Sequence, residues 1–598
     1  MYQTNEQIAT KEFTAKNSAL KKFKHLLFSD QSGSPPIIVI GLITLFYAIY
    51  FAYERLYGDS GYYLFRLIND DRFIIEHRRF IGVVIEVLPW ILMKFGASVN
   101  NIVLFFSLNE WAWYAGCCFV LYRFYKLPGL SIAMILVVLF GSRWNWFNPV
   151  SELIIASPII FFLFAELYTK APSSISSFIR SIIYVIILSF SHPFYSMIIP
   201  WIFVMIILND RSILKNKGFI TILVCSLIIL IAHLFAIDKY DTESAVAISS
   251  RPLHETISLK LAGHLIQFFP AILMLILFSS ISIIKSKKYL LLVIFLGSIF
   301  MFFLLVLYKY GQCFPETYEP FERYLFPISI MVVAFWFIVL KKSWNRILMI
   351  FVVYHLFLLF HYGMNVKIRY KQCNAAIANA QEWKEGKIAI RAENYYPIKI
   401  GHDWTMPVES MLLSSFDNVG TTKQVWVLEA ISPQELSGIT DSTFLYSPWS
   451  VKSYNYLNHK YFNLPVGPMK IANTDSIQSS KSDTFFNNIS IETIGPFLLP
   501  ANSVTLVQAK ITNLNSEPLY SGIRMEKRYI SYHWKKGNEI IVHDGERSPI
   551  LMDVIHSSIQ FIKIKTPEKK GEYFLIPDLV YEGKRWANLH KEIKYYIY

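Results

Sequence analysis

The residues that could do chemistry gather just after the first apolar run of the sequence. Asp59 stands between two glycines in Tyr57-Gly-Asp-Ser-Gly-Tyr-Tyr-Leu-Phe65, and the basic run His77-Arg78-Arg79 follows. A carboxylate beside a cavity can take a proton from an acceptor nucleophile. Arginines can hold a phosphate through two hydrogen bonds and stabilise it as it leaves. This pattern indicates group transfer from a phosphate-linked donor, and a turn-forming aspartate beside interfacial basic anchors is the alternative.

Later segments add candidates of two kinds. Glu152 is either a second acid or a cap of the helix that follows it. His192 lies within an apolar run and is either a buried, hydrogen-bonded side chain or a functional one. His254 could line an acceptor cleft, while Glu322 near Arg323 could shape a cavity or belong to a solvated loop.

The composition predicts a membrane protein. Hydrophobic residues make up 54% of the 598 residues and charged residues only 17%, against about 25% charged in soluble domains. Soluble enzymes, fibrous proteins and disordered proteins are thereby excluded. The net charge of +14 comes from short basic clusters between apolar runs, where membrane proteins place cytoplasmic anchors, so nucleic acid is not an expected partner. Five cysteines are too few for a disulfide scaffold, although Cys313 and Cys373 could pair.

Hydropathy and charge predict the topology of the N-terminal part. Residues 1–35 are polar, lack the pattern of a cleaved signal peptide and are predicted to form a cytoplasmic tail. Residues 36–362 are predicted to form about eleven transmembrane helices. The run 80–96 is interrupted by charged residues and Pro89, and we expect it to lie on the outer surface. Inserting it would move nearly every basic cluster outward.

The C-terminal third has a different pattern. Residues 363–484 combine a predicted helix at 366–384 with strand-like runs such as 387–391, which indicates a mixed α/β unit. Residues 485–598 show short strands of period two separated by turns, the pattern of a β-sandwich. The expected fold is therefore a polytopic α-helical membrane protein with an exported α/β unit and an exported β-sandwich.

The order of these features resembles the GT-C superfamily of polytopic glycosyltransferases, especially the lipid A aminoarabinose transferase and protein O-mannosyltransferase types. The similar features are an aspartate after the first span, a stretch ending in Pro and Phe-Gly, a broken helix pair and an Arg-Tyr-x-x-Pro sequence. Here they are Asp59, Pro89 with Phe95-Gly96, Ser191-His192-Pro193, and Glu322-Arg323-Tyr324-Leu325-Phe326-Pro327.

The resemblance implies a polyprenyl-phosphate-linked sugar as donor, with Asp59 as catalytic base and Glu152 as a candidate second acid. The first outer loop has no paired acidic motif, so metal-independent transfer without a cofactor is expected. The residues expected to contact the lipid phosphate or a sugar are His77, Arg78, Arg79, Arg143, His192, His254, Glu322, Arg323 and Tyr324.

A second resemblance concerns the predicted sandwich. Its motifs Tyr532-His-Trp534, Gly545-Glu-Arg-Ser-Pro549, Gly571-Glu-Tyr573 and Asp578-Leu-Val-Tyr-Glu-Gly583 resemble an immunoglobulin-like module of bacterial proteins of cell-surface polysaccharide assembly. Trp534 and Trp586 could stack on sugar rings or form the sandwich core.

The resulting hypothesis is an integral-membrane glycosyltransferase of the bacterial inner membrane. It would transfer a sugar to a glycan, lipid or protein acceptor on the outer side, where the C-terminal third lies, with the N-terminus in the cytoplasm. One alternative is a transporter or flippase for a lipid-linked sugar, which would need charged residues within its spans and two related halves. Another is a non-catalytic, membrane-anchored polysaccharide-assembly protein, which would not depend on Asp59.

Overall fold

The computed structural model describes most of the chain, with gaps. The described residues are 34–140, 146–169, 174–235, 266, 269–310, 319–340, 345–382, 386–390, 403–416, 420, 422–427, 437–447, 450–471, 483–486, 488–495, 497–515, 519, 528–550, 554, 556–581, 585–589 and 591–598.

Helices dominate the chain up to residue 382. They are α1 (Ser34–Tyr50), α2 (Asp59–Asp70), α3 (Val83–Lys94), α4 (Val99–Arg123), α5 (Pro128–Phe140), α6 (Glu152–Ile155), α7 (Ser157–Thr169), α8 (Ile175–Ser189), α9 (Tyr195–Asn209), α10 (Lys217–Leu234), α11 (Pro270–Lys285), α12 (Tyr289–Tyr310), α13 (Glu319–Leu340) and α14 (Asn345–Glu382). Among the described residues beyond 382, the α-helices are α15 (Met406–Ser414) and α16 (Asp483–Phe486).

The strands follow α14. They are β1 (Lys387–Ile390), β2 (Gln424–Val427), β3 (Thr443–Ser447), β4 (Ser450–Ser453), β5 (Met469–Ile471), β6 (Ile489–Ile494), β7 (Leu498–Leu499), β8 (Val504–Asn513), β9 (Arg528–Lys536), β10 (Glu539–Val542), β11 (Ser548–Pro549), β12 (Ser557–Lys565), β13 (Gly571–Tyr581), β14 (Arg585–Trp586) and β15 (Ile593–Ile597).

The chain divides into two compact units. The helical unit comprises residues 1–55, 72–95 and 102–364, and the C-terminal unit comprises residues 56–71, 96–101 and 365–598. Helix α2, which begins at Asp59, therefore belongs with the C-terminal third rather than with the helices that flank it in sequence.

Helix α13 lies at the centre of the helical unit. Residues 325–336 are buried without interruption, and α13 contacts α5, α9, α11 and α12. A helix that is apolar on all sides can be covered in this way only by several neighbours.

The prediction of about eleven transmembrane helices is wrong. Within the described residues, two helical stretches are long and apolar enough to cross a bilayer, Val99–Arg123 and Leu348–Ala378. In the other apolar helices, the stretches with described side chains have 10–17 residues, whereas a hydrocarbon core of about 30 Å needs about 20. The described fold is therefore not an eleven-helix polytopic one. It combines a helical unit with a unit that contains several β-sheets.

Long apolar runs are divided among shorter helices, which explains the excess in the predicted count. The first run, 36–55, forms a helix of 17 residues that ends at Tyr50. The run 149–169 forms α6, of 4 residues, and α7, of 13 residues. The run 80–96 forms a short turn and α3, of 12 residues, and its position on the outer surface stays a prediction. A hydropathy average is high wherever apolar residues are dense, whether or not a single helix runs through all of them.

Arg55 is a fully buried cation in the helical unit. Its Nε donates to the carbonyl oxygen of Trp146 at 2.9 Å, and its guanidinium lies 4.7 Å from the Trp146 ring centroid. Nη1 donates to the carbonyl and hydroxyl oxygens of Ser107 at 3.0 and 2.9 Å, and Nη2 is paired with Glu110. The Ser107 hydroxyl donates to the carbonyl oxygen of Ala48 at 2.6 Å. One side chain thus connects α1, α4 and the segment that starts at residue 146.

The C-terminal unit contains a three-stranded parallel sheet in the order β2-β1-β5. Lys387 pairs with Gln424 on one side and Met469 on the other, and α15 packs on β2. The strand predicted at 387–391 is therefore confirmed as β1. Cys373 is buried in α14, and Cys313 lies outside the described residues, so their pairing stays a prediction.

Lys387 holds a turn against this sheet. Its Nζ donates to the carbonyl oxygens of Asp441 and Thr443 at 3.1 and 3.0 Å and lies 5.1 Å from the Tyr454 ring centroid. Burial lowers the pKa of Lys387 to about 8. The cation therefore acts as an internal cross-link between β1 and the residues around β3.

Residues 485–598 form two further sheets around one core. One sheet has the order β10-β9-β13-β15-β7, with β11 beside β9 and β14 beside β13, and the other has the order β12-β8-β6. Buried side chains from both sheets, such as Ile511 and Leu575, belong to a single apolar cluster. Trp534 is fully buried in that cluster, while Trp586 is partly exposed. Of these two rings, only Trp586 is accessible to a ligand.

Replacing Arg55 with Met is expected to destabilise the protein by about 3–5 kcal/mol, because the buried Glu110 carboxylate loses its counter-ion. Glu110→Met should have a similar effect through the unpaired guanidinium. The double variant should lose less stability than the sum of the two single losses, because neither charge is then left buried without its partner. Denaturant unfolding of the full chain in detergent micelles, followed by tryptophan fluorescence, measures these differences.

The exposed pair of Glu492 and Lys591 is the control, with side chains 48% and 50% exposed. Exposed pairs contribute about 0–1 kcal/mol, so Glu492→Gln should change stability by no more than that. If Arg55→Met lowers stability no more than Glu492→Gln does, the buried pair of Arg55 and Glu110 does not stabilise the helical unit as expected.

Candidate functional site

Asp59 is the first residue of α2, in the C-terminal unit. Gly58 before it has a φ of 65°, a left-handed conformation that glycine adopts without steric cost. The Asp59 side chain is partly exposed, and a carboxylate in the first turn of a helix interacts favourably with the helix dipole. The turn therefore presents a carboxyl group that solvent can reach.

Glu409 of α15 holds the backbone immediately before Asp59. One of its carboxylate oxygens accepts a hydrogen bond from the Gly58 N–H, with an N to O distance of 3.2 Å, and another from the Thr405 hydroxyl. The second oxygen is paired with Nη1 of Arg369. Groups from α14, α15 and the turn before α2 therefore meet at one carboxylate.

The pair of Arg369 and Glu409 lies inside the C-terminal unit, with 4% and 2% of the two residues exposed. The Arg369 guanidinium also lies 4.8 Å from the centroid of the Tyr57 ring. Sequence analysis missed this pair, because Glu409 and Arg369 are 40 residues apart. The local signal was weak, a charged Arg369 inside the helix predicted at 366–384.

The close approach of α2 to α15 depends on Gly61. A Cβ atom at this position would lie 2.3 Å from the Leu56 carbonyl oxygen and 2.7 Å from the Cγ of Glu409. Any larger residue would push α2 away from the carboxylate that holds its first turn.

The other end of α2 is held by polar contacts. Arg66 Nε donates to the Tyr446 hydroxyl at 3.1 Å, and that hydroxyl donates to Asp70 at 2.7 Å. Burial and the hydrogen bond to Asp70 raise the pKa of Tyr446, which keeps its hydroxyl proton in place. Asn69 Nδ2 donates to the Tyr456 carbonyl at 3.0 Å. Both ends of α2 are therefore fixed within the C-terminal unit.

Aromatic side chains share the Asp59 face of α2. Tyr62 and Tyr63 follow Asp59 by three and four residues, the spacing that places side chains on one face of a helix. The Tyr62 ring meets the Trp404 ring edge to face, with centroids 5.8 Å apart, and both residues are partly exposed. A carboxyl group with accessible aromatic rings beside it suits a ligand that has both hydroxyl groups and apolar faces.

The basic run lies in the helical unit, in a turn with an unusual backbone. His77 and Arg78 have φ values of 50° and 60°, a region that few non-glycine residues adopt. Arg79 lies 3.5 Å from Glu152, Nη1 to Oε2, and both residues are buried. Arg78 is exposed. Glu152, the first residue of α6, is therefore an ion-pair partner of the basic run.

The remaining sequence candidates are placed as follows. His192 is buried, and its Nδ1 accepts a hydrogen bond from the Phe194 N–H at 3.3 Å. Arg143 and His254 lie outside the described residues. Three candidates lie in α13 with side chains outside the described part: Glu322, Arg323 and Tyr324.

Among the sequence candidates, the structure brings together Arg79 and Glu152. Asp59 belongs to the other unit, where the Gly58 N–H before it is held by Glu409, which sequence analysis did not select.

In the described part of the chain, no three His, Cys, Asp or Glu side chains are grouped so that they could hold a metal ion. Comparison with known proteins gave no match to a protein-family model, a curated protein or a solved structure. Function is therefore inferred from the side chains themselves.

Gly61→Ala is expected to destabilise the C-terminal unit by about 1–3 kcal/mol, because the added methyl group overpacks the contact with Leu56 and Glu409. Gly116→Ala in α4 is the control, since a Cβ there meets nothing within 4 Å and alanine favours a helix over glycine by about 0.5–1 kcal/mol. Thermal unfolding in detergent micelles compares the two. Equal stability of both variants would show that α2 does not need its close approach to α15.

Proposed function

We propose that the protein is a membrane glycosyltransferase that uses a polyprenyl-phosphate-linked sugar and acts on the outer side of the bacterial inner membrane. Asp59 takes the proton from an acceptor hydroxyl, whose oxygen forms a bond to the anomeric carbon of the sugar. The bond from that carbon to the phosphate oxygen breaks, and polyprenyl phosphate leaves with the electron pair. The acceptor is a glycan, a lipid or a protein.

The observation that carries the proposal is the fixed and accessible position of Asp59. Its turn is held by Glu409 through the Gly58 N–H, its side chain is partly exposed, and Tyr62 and Tyr63 share its helix face. A general base must be held in place to act in the transition state. A sugar acceptor offers a hydroxyl to the carboxylate and an apolar ring face to the tyrosines.

Arg78 supports the phosphate half of the proposal. It is exposed and follows His77 in a sparsely populated backbone region, and such conformations cluster at functional sites. A guanidinium can hold the leaving phosphate through two hydrogen bonds. Arg79 is assigned to positioning, because its charge is offset by Glu152, and Arg323 stays a candidate for the same phosphate.

A bilayer environment is supported by the apolar helices. Val99–Arg123 and Leu348–Ala378 have the length and composition to cross it. Large apolar side chains are also exposed on shorter helices, including Ile38 and Leu42 of α1, each 60% exposed, and Val293 of α12, 67% exposed. Exposed apolar side chains of this kind are consistent with a lipid environment for these helices. The distribution of basic clusters supports a cytoplasmic N-terminus.

Asp59→Asn is expected to lower transfer at least about 100-fold, because general-base catalysis typically contributes 10²–10⁴-fold. The measurement is mass spectrometry of surface glycans, lipids and proteins from a deletion strain that carries either the wild type or the variant. Asp71→Asn is the matched control. Asp71 ends the same helix with a φ of 52°, a conformation that asparagine tolerates, so this variant should keep full activity.

Wild-type product levels in the Asp59→Asn strain, at equal expression, would exclude Asp59 as the base and favour a non-catalytic assembly role. An equal loss in the Asp71→Asn strain would mean that damage to α2, rather than loss of the base, explains the result.

Chelation of divalent cations is expected to leave transfer unchanged, because the proposed charge stabilisation comes from guanidinium groups. Membranes that contain the protein can be washed with EDTA and assayed for sugar transfer to endogenous acceptors. Loss of activity after the wash, with recovery on adding Mg²⁺ or Mn²⁺, would contradict the metal-independent mechanism.

A further inference from the structure

A separate cavity lies in the helical unit between α1, α4 and α5. It contains about 570 Å³ of space, counted with its open mouth. Ile40, Ala115, Met134 and Val138 are among the side chains that line it. Walls of this kind favour an apolar occupant, because a polar one would lose its hydrogen bonds to water without replacement.

Two polar side chains in the wall already use their donors within the protein. The Thr44 hydroxyl donates to the Ile40 carbonyl oxygen at 2.9 Å. The indole N–H of Trp111 donates to the Gly41 carbonyl oxygen at 3.1 Å. Neither donor is therefore available to an occupant of the cavity.

Two other wall residues differ, Tyr114 and Trp146. The Tyr114 hydroxyl and the Trp146 indole nitrogen are buried, and in the described part of the chain neither has a hydrogen-bond partner. The residues are only 7% and 4% exposed. An unsatisfied buried donor costs about 1–3 kcal/mol, and an indole nitrogen can only donate. The group that satisfies Trp146 must therefore be an acceptor.

We propose that this cavity binds the hydrocarbon chain of a lipid and that Tyr114 and Trp146 donate hydrogen bonds to an oxygen near the attached end of that chain. The apolar walls match the chain, and the two donors match an ester or phosphate oxygen. An acyl chain of a bilayer phospholipid and a prenyl chain of a polyprenyl phosphate share this chemistry. The proposal does not depend on sugar transfer.

Photolabelling of the full chain in micelles tests the site. The probes are a phosphatidylcholine and a farnesyl phosphate that each carry a diazirine in the hydrocarbon chain, and peptide mass spectrometry locates the label. We expect labels on residues of α1, α4 and α5 that line the cavity. Competition with unlabelled phosphatidylcholine or unlabelled farnesyl phosphate then distinguishes the two sources.

Gly41→Leu is designed to fill the cavity. Gly41 lines it, and a Cβ there meets nothing within 4 Å. Labelling should fall about tenfold, the change that corresponds to about 1.4 kcal/mol of binding free energy. Gly116→Leu is the control, since residue 116 also has open space around a Cβ but does not line the cavity, and its labelling should match the wild type.

Tyr114→Phe keeps the ring and removes one donor, so it tests the hydrogen bond without filling space. Labelling with both probes should fall several-fold. The unfolding temperature should match that of the wild type, which shows that the variant is folded. Unchanged labelling in both Gly41→Leu and Tyr114→Phe would overturn the proposal, as would labels confined to helices outside the cavity. Either result would mean that water, rather than a lipid oxygen, accepts the hydrogen bonds of Tyr114 and Trp146.

Discussion

The buried guanidinium group of Arg55 is the interaction on which the N-terminal part of the helical unit depends. Removing an ion from water costs several kcal/mol, so a buried cation is retained only where its surroundings compensate it fully. Trp146 and Ser107 accept its hydrogen bonds, and Glu110 supplies the opposite charge. Helix α4, which carries Ser107 and Glu110, and the segment around Trp146 therefore cannot shift independently of Arg55. The lipid cavity depends on the same contacts, because Trp146 both binds Arg55 and lines the cavity.

The C-terminal unit uses the same physical principle for a different purpose. Glu409 is a buried anion that is compensated by Arg369 and by the Gly58 N–H. Compensation through a backbone N–H also fixes a backbone position, in this case the residue before Asp59. The buried Glu409 carboxylate thus gives the proposed base a defined location, while the Asp59 side chain itself remains partly exposed. Rigidity behind an accessible carboxyl group is what proton transfer to a bound acceptor requires.

Sequence patterns predicted local structure better than they predicted the membrane topology. The strand expected at 387–391 occurs as β1, and short strands occur within 485–598 as expected, because alternation and turn residues act over a few positions. The predicted number of crossings was wrong because hydropathy measures apolar content, whereas a helix end such as Tyr50 depends on where the backbone turns. Asp59 could be selected from its glycine-flanked motif. Glu409 could not, since its partner Gly58 lies 351 positions earlier and no local pattern encodes such a contact.

The assignment of α2 to the C-terminal unit sets an order of events during synthesis. Its hydrogen bonds join residues separated by 351 positions at Gly58 and by 390 positions at Ile68, which binds Asn458. Chains fold from the N-terminus as they emerge, so α2 is made long before its partners. The ribosome must pass residue 458 before both ends of α2 can be fixed. The Asp59 turn is therefore completed late, and a nascent chain that stops within the helical unit carries this carboxyl group without the architecture that positions it.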